Sequence, residues 1–210
     1  MLPIHRQFLC LLVTCLVLLR MEAHAAKPIA APEGWSTAAP RDELKPEFHF
    51  EPKGGPNKSG SWMIETDARE GLHGFWAKPV AIEGGHFYAF HALRRVKNVS
   101  TPRRCAVARI LWQDAQGKSV LTEEKTVTDV LQGFAAGAEP EYPGELDTDK
   151  HGWTEIAGVY RAPAKAAQAV IELHFQWAIR GRVEWSDVSL IETNAPPPRK
   201  VRLAVRWLFS

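Results

Sequence analysis

Cysteine is scarce in this chain: three occur in 210 residues. Cys10 and Cys15 fall in an apolar N-terminal segment, which leaves Cys105 alone. A lone thiol closes no intrachain disulfide, so the fold must be held by its core. Cys105 sits in the apolar run CAVARILW and reads as a small buried hydrophobe, since no nearby motif supplies a base to activate it. Long hydrophobic runs are also few. Phe8 to Leu19 is the longest, shorter than the ~20 residues that span a bilayer. It follows a basic start at His5-Arg6 and precedes Ala23-His24-Ala25, an A-x-A cleavage signal. Residues 1–25 are therefore expected to be a cleaved signal peptide, with the mature protein secreted or periplasmic and no membrane contact afterwards.

Charge of one sign is lacking as well. The signal takes Arg6, Arg20 and Glu22 with it, so 24 basic and 23 acidic residues remain of 26 and 24. Such a balance gives no electrostatic grip on nucleic acid. The short basic run Arg94, Arg95, Lys97, Arg103, Arg104 reads as a solvated strand end and turn. Helical periodicity, internal repeats and heptads are missing, as are a Gly-rich phosphate loop and a Gly-x-Ser-x-Gly elbow. The ~185 residues left after the signal are enough for one core without staples.

What the chain does have is alternation. Residues 26–46, rich in Pro and Ala, read as an extended leader with Trp35 docked on the domain. Residues 47–193 read as strands: Phe48 in FHFEP, Ser61 to Thr66, Gly74 to Ile82, His86 to Val96 and Cys105 to Gln113. Cys105–Gln113 is the most apolar and is expected to be central. Gly84-Gly85 and Asp114 to Gly117 mark tight turns, and Val120-Leu121 starts the return of the second. Residues 132–150 are expected to form a long loop. Three strands follow, Trp153 to Tyr160, Ala169 to Trp177 and Arg182 to Ile191. Many short strands at this spacing predict an all-β sandwich of jelly-roll type. Residues 194–210 begin with the stiff linker NAPPPRK and end in one alternating strand, Lys200 to Val205, with no partner of its own.

Candidate chemistry lies on the strand around Leu173. Glu172, His174 and Gln176 alternate with Ile171, Leu173 and Phe175, so they share the face opposite the core. With His91 and Arg109 from other strands, that row offers carboxylate, imidazole, amide and guanidinium to read a polyol or a peptide edge. An ordinary solvated sheet face is the competing reading. Eight tryptophans are present, and flat aromatic faces suit sugar rings. Trp153 and Trp185 read as packing, whereas Trp76 and Trp177, at strand ends, lie nearer a surface; Trp76 is taken with the ligand-binding set. No metal or catalytic residue is assigned and no cofactor is expected. Should a structural calcium be held, Glu51 and Asp187 are the candidate ligands. The acidic pairs Glu123-Glu124, Glu139 with Glu141, and Asp147 with Asp149 read as solvated loop residues.

Two signatures carry a resemblance over about residues 60–192. One is GGHFYAF followed by LWQDAQG; the other is WTEIAGVYRAP followed by GRVEWSDVSL. Together they resemble galactose-binding-like jelly-roll modules of the carbohydrate-binding type, which implies a binding fold and leaves the ligand open. More sharply, PRRCAVARILWQDAQGK, AEPEYPGE, GWTEIAGVYRAPAKA and GRVEWSDVSL look like the N-terminal domain of secreted carbon–nitrogen hydrolases of the nitrilase superfamily. In that family a proline linker leads into a hydrolase whose first strand resembles RKVRLA, and the catalytic Glu, Lys and Cys lie beyond it. None has a counterpart here, so the resemblance implies a truncated chain, a module without its enzyme. The expected partner is a glycan or a neighbouring hydrolase domain. The alternative is an accessory packing or oligomerisation domain with no glycan affinity, and a hydrolase using loop carboxylates ranks last.

Overall fold

In the computed structural model, residues 31–123 and 137–198 are described. Apolar and polar residues alternate along most segments, and burial alternates with them. Along β6 (Ala106–Gln113) every second residue, from Ala106 to Trp112, is buried. β5 (Phe87–Lys97) does the same from Tyr88 to Arg94. A strand turns successive side chains to opposite faces, so each pattern buries one face.

Two antiparallel sheets result. The four-stranded sheet runs β1 (Ser36–Ala38), β4 (His73–Ala81), β9 (Gln168–Gln176), β6. The six-stranded sheet runs β2 (Glu47–Glu51), β3 (Ser61–Glu65), β10 (Arg182–Thr193), β5, β8 (Thr154–Arg161), β7 (Gly144–Thr148). The inner faces enclose Ile64, Trp76, Phe90, Ile110, Trp112, Ile156, Ile171, Leu173, Phe175, Val183 and Trp185. Each large side chain so buried contributes roughly 1.5–3 kcal/mol. The chain is an all-β jelly-roll sandwich. No helix of the described residues is long and apolar enough to cross a membrane.

Several details differ from the expectations. β6 is not central: among the described strands β9 is its one neighbour, and its far side meets the chain through Ile110 and Glu141, which exchange backbone hydrogen bonds of 3.0 and 2.9 Å. Its apolar character comes from Val107 and Leu111 on its second face, which are half-buried. The stretch read as loop contains β7, an edge strand of sequence GELDT with four exposed residues, so it lacks the apolar alternation of a half-buried strand. Pro102–Cys105 forms one helical turn, α1, and Asp42–Leu44 a short 3-10 turn. In the segment read as leader, β1 pairs with β4, and Trp35 is buried 4.9 Å from the ring of Trp62. The expected signal at 1–25 and the strand expected at Lys200–Val205 lie outside the described residues.

Candidate functional site

The outer face of the four-stranded sheet is built by register. β4 and β9 set His73 against Gln176, Phe75 against His174 and Ala77 against Glu172. β6 and β9 set Val107 against His174 and Arg109 against Glu172. The intervening residues, Trp76, Leu173, Ile171 and Ile110 among them, point inward to the core.

These polar groups form a connected chain. Arg109 Nε donates to Glu172 Oε2, a close charge-assisted contact. His174 Nε2 lies 2.8 Å from the same oxygen. His174 Nδ1 lies 2.9 Å from His73 Nε2. The ring of Phe75 stacks on His174 at 4.4 Å between centroids and 27° between planes. Gln176 Nε2 donates to the Arg104 carbonyl at 2.9 Å. His174 is 3% exposed and Glu172 8%, so the centre of this face is not solvated: the polar atoms of these two residues are buried and hydrogen-bonded to their neighbours.

The electrostatics follow from that burial. Burial pushes the Glu172 carboxyl up, but the hydrogen bonds from His174 and Arg109 outweigh it and hold the group below its ordinary range. Burial is also the main influence on His174 and lowers it against the pull of Glu172. His73 is pushed down to about 4 by burial, then by His174 and Arg109. At neutral pH the chain therefore holds an ionised carboxylate, a guanidinium and two neutral imidazoles.

The structure places Glu172, His174, Gln176 and Arg109 on one sheet face. His91 is not with them. It lies on β5 in the other sheet, 3.7 Å from Glu155 and with Nδ1 3.2 Å from the Asp187 carbonyl. Trp76 is not at the surface either: it is 2% exposed and its indole N–H donates to the Met63 carbonyl at 3.1 Å. A residue one step from Phe75 must face the core when Phe75 faces out. Sequence reasoning missed His73 and Phe75; their one signal is the period-two set His73, Phe75, Ala77 in HGFWA. Trp177 is 57% exposed and adopts a positive φ of 59°. Its N–H donates to the Leu72 carbonyl at 3.0 Å, which places this residue at the His73 end of the cluster.

Other candidates are spent on structure. Asp187 takes hydrogen bonds from Asn57, at 2.7 Å, and from Ser59, while Glu51 accepts from Lys53 N–H at 3.3 Å. No group of three or more His, Cys, Asp or Glu among the described residues is gathered to hold a metal. Asp149 caps a turn, accepting from His151 and Trp153 N–H groups, and the Trp153 bond first of all lowers its pKa. Arg94, expected in solvent, is buried and donates to the Ala106 carbonyl at 2.9 Å and to Glu145 at 2.5 Å. Cys105 is buried, and burial pushes its thiol up.

No family model matches the chain, and no curated protein is similar to it in sequence. Solved structures are similar in fold. One is the enzymatically active domain of tailspike protein 4 of bacteriophage CBA120, at 14% identity and a TM-score of 0.51, covering 77% of this chain and 20% of that one. Another is the CBM22-1-GH10 portion of xylanase 10B of Clostridium thermocellum, complexed with xylohexaose, at 15% identity and a TM-score of 0.50, covering 77% and 26%. A family 16 carbohydrate-binding module is similar at 11% identity and a TM-score of 0.49, covering 76% and 92%. The chain thus spans about a fifth and a quarter of the first two. The jelly-roll sandwich is a fold this chain has in common with structures that include carbohydrate-binding modules.

Proposed function

We propose that this chain is a non-catalytic carbohydrate-binding module, exported by its N-terminal segment, whose ligand lies on the outer face of the four-stranded sheet. The observation that carries this reading is the buried network His73–His174–Glu172–Arg109 on a face that would ordinarily be solvated. A buried polar network is retained at a desolvation cost and is rigid once satisfied, which suits it to present fixed donors and acceptors to hydroxyls. Phe75 and Trp177 add flat surface for a sugar ring. Glu172 is the one acid of the network and its Oε2 is shared by two donors, which suits binding better than acid–base hydrolysis by paired carboxylates.

The test is a titration of the chain with neutral hexaoses, xylohexaose and cellohexaose, by calorimetry. Binding is expected, and Phe75→Ala is expected to weaken it at least about tenfold, close to 1.4 kcal/mol. No binding to any neutral glycan by a chain with native circular dichroism would refute the reading.

A second reading, an accessory domain docked on a neighbouring hydrolase of the nitrilase type, is favoured by one observation. On the outer face of the six-stranded sheet, Ile191 and Val159 flank Ala89 in register, and they are 63% and 43% exposed. The sequence resemblance to the N-terminal domain of such hydrolases supplies the partner's class. This reading expects an apolar contact there that Ile191→Glu abolishes.

A further inference from the structure

The donors and acceptors of the network fix the proton positions at its His73 end. The Glu172 carboxylate only accepts, so His174 must donate to it from Nε2. A neutral imidazole carries one N–H, so His174 Nδ1 is then an acceptor. His73 Nε2, 2.9 Å away, must supply the proton to that nitrogen. The single N–H of His73 is thereby used, and its Nδ1 carries a lone pair. No donor among the described residues reaches that nitrogen. The cross-strand neighbour of His73, Gln176, is also held by an acceptor. The Arg104 carbonyl only accepts, so one N–H of the Gln176 amide is held there, which leaves its oxygen to accept and its second N–H to donate. Directly opposed residues on one sheet face lie about 5 Å apart at Cβ. The acidic group that orders this chain is itself neutralised by Arg109.

We infer that His73 Nδ1, oriented through His174 by Glu172 and flanked across the ladder by the Gln176 amide, forms an acceptor subsite that selects ligand groups which donate hydrogen bonds. This deepens the glycan-binding reading and rests on it. The class of ligand is a neutral sugar with free, adjacent hydroxyls. A carboxylate, a sulfate ester or an O-methylated position would set its lone pairs against that of His73 Nδ1 and is disfavoured there. His73 is the specificity-determining residue, while His174 and Glu172 are positioning residues. The low pKa of His73 agrees, because the acceptor persists over the whole neutral range. The groups that face His73 are His174, Glu172 and Arg109 from the neighbouring strands, with its own partner Gln176 across the ladder.

Two arms test this. The first needs no ligand. Long-range proton–nitrogen NMR of the nitrogen-labelled chain at pH 7 is expected to show both His73 and His174 as single tautomers, protonated at Nε2 and bare at Nδ1. In Glu172→Gln, whose amide donates as readily as it accepts, His73 is expected to become a tautomer mixture. A His73 that carries its proton on Nδ1, or is mixed in the native chain, overturns the orientation. The second arm compares xylohexaose and cellohexaose with oligogalacturonate and O-methylated cellohexaose. Neutral, unmodified glycans are expected to bind at least tenfold more tightly, and Glu172→Gln to narrow that preference. Equal binding of all four overturns the selectivity. Correct tautomers with no neutral glycan bound would instead locate the failure in the glycan-binding reading itself, and the selectivity falls with it.

Discussion

At the scale of residues, chemical alternation and burial part company along β9. Ile171 through Phe175 are all buried, although Glu172 and His174 lie on the outer face. Their polarity marked the outward side correctly. That they are enclosed depends on Phe75, His73 and Arg109, which arrive from strands far away in sequence. Trp185 shows the reverse case, where the sequence reading was sufficient. Its place in an alternating strand reads as packing, and it is fully buried in β10, opposite Trp62 in β3 and Arg94 in β5. Trp185→Ala is expected to cost 3–5 kcal/mol, of the order found for large aromatic truncations in cores. Urea denaturation measures it, and a loss below ~1 kcal/mol would contradict the core assignment. Trp76 lies in the core against the sequence expectation because a tryptophan near a strand end has no signal for its face until the partner strand fixes which alternate set is inside.

At the scale of elements, β10 carries the clearest local device. Its register with β5 shifts between Ser186 and Ser189, and Asp187 within that bulge has a positive φ of 51°. Aspartate tolerates this conformation better than most residues, and here its carboxylate is held by Asn57 and Ser59. The loop that brings those residues needs Gly55, at φ 77°, where a Cβ would lie 2.0 Å from Ser186 Oγ. Gly55→Ala is therefore expected to destabilise the domain by roughly 1–3 kcal/mol through strain and displaced packing. Thermal unfolding checks this, and an unchanged midpoint would show that the loop does not pack on the bulge. Most strands were legible because one of their faces is core. β7 was not, because an edge strand with water on both sides needs no apolar residues. The apolar richness of β6 reported that both its faces are partly covered, which is a different matter from its place in the sheet.

At the scale of the whole molecule, the buried histidines tie stability to pH. His73 titrates at about 4 when folded and His174 is also lowered, whereas an unfolded histidine titrates near 6.5. Between pH 6.5 and 4 the unfolded chain binds more protons at these sites, so acidification through that window lowers stability. His73 is partly open to solvent, so its share is discounted to about 1–2 kcal/mol. The urea midpoint should fall from pH 7 to pH 5, and less steeply in His73→Gln. Parallel profiles for the two chains would show that His73 does not carry the dependence. The amino-acid sequence by itself determined that this chain folds as β-structure, where most strands begin and end, and which residues alternate toward a common interior. Those are local properties, written in period-two patterning and in turn glycines. Only the tertiary structure decided which strands neighbour one another, and hence that Arg109, His73 and Phe75 close over Glu172 and His174 while His91 stands on the other sheet. Strand order and register join residues about a hundred positions apart, and no local pattern specifies which antiparallel partner buries a given face best.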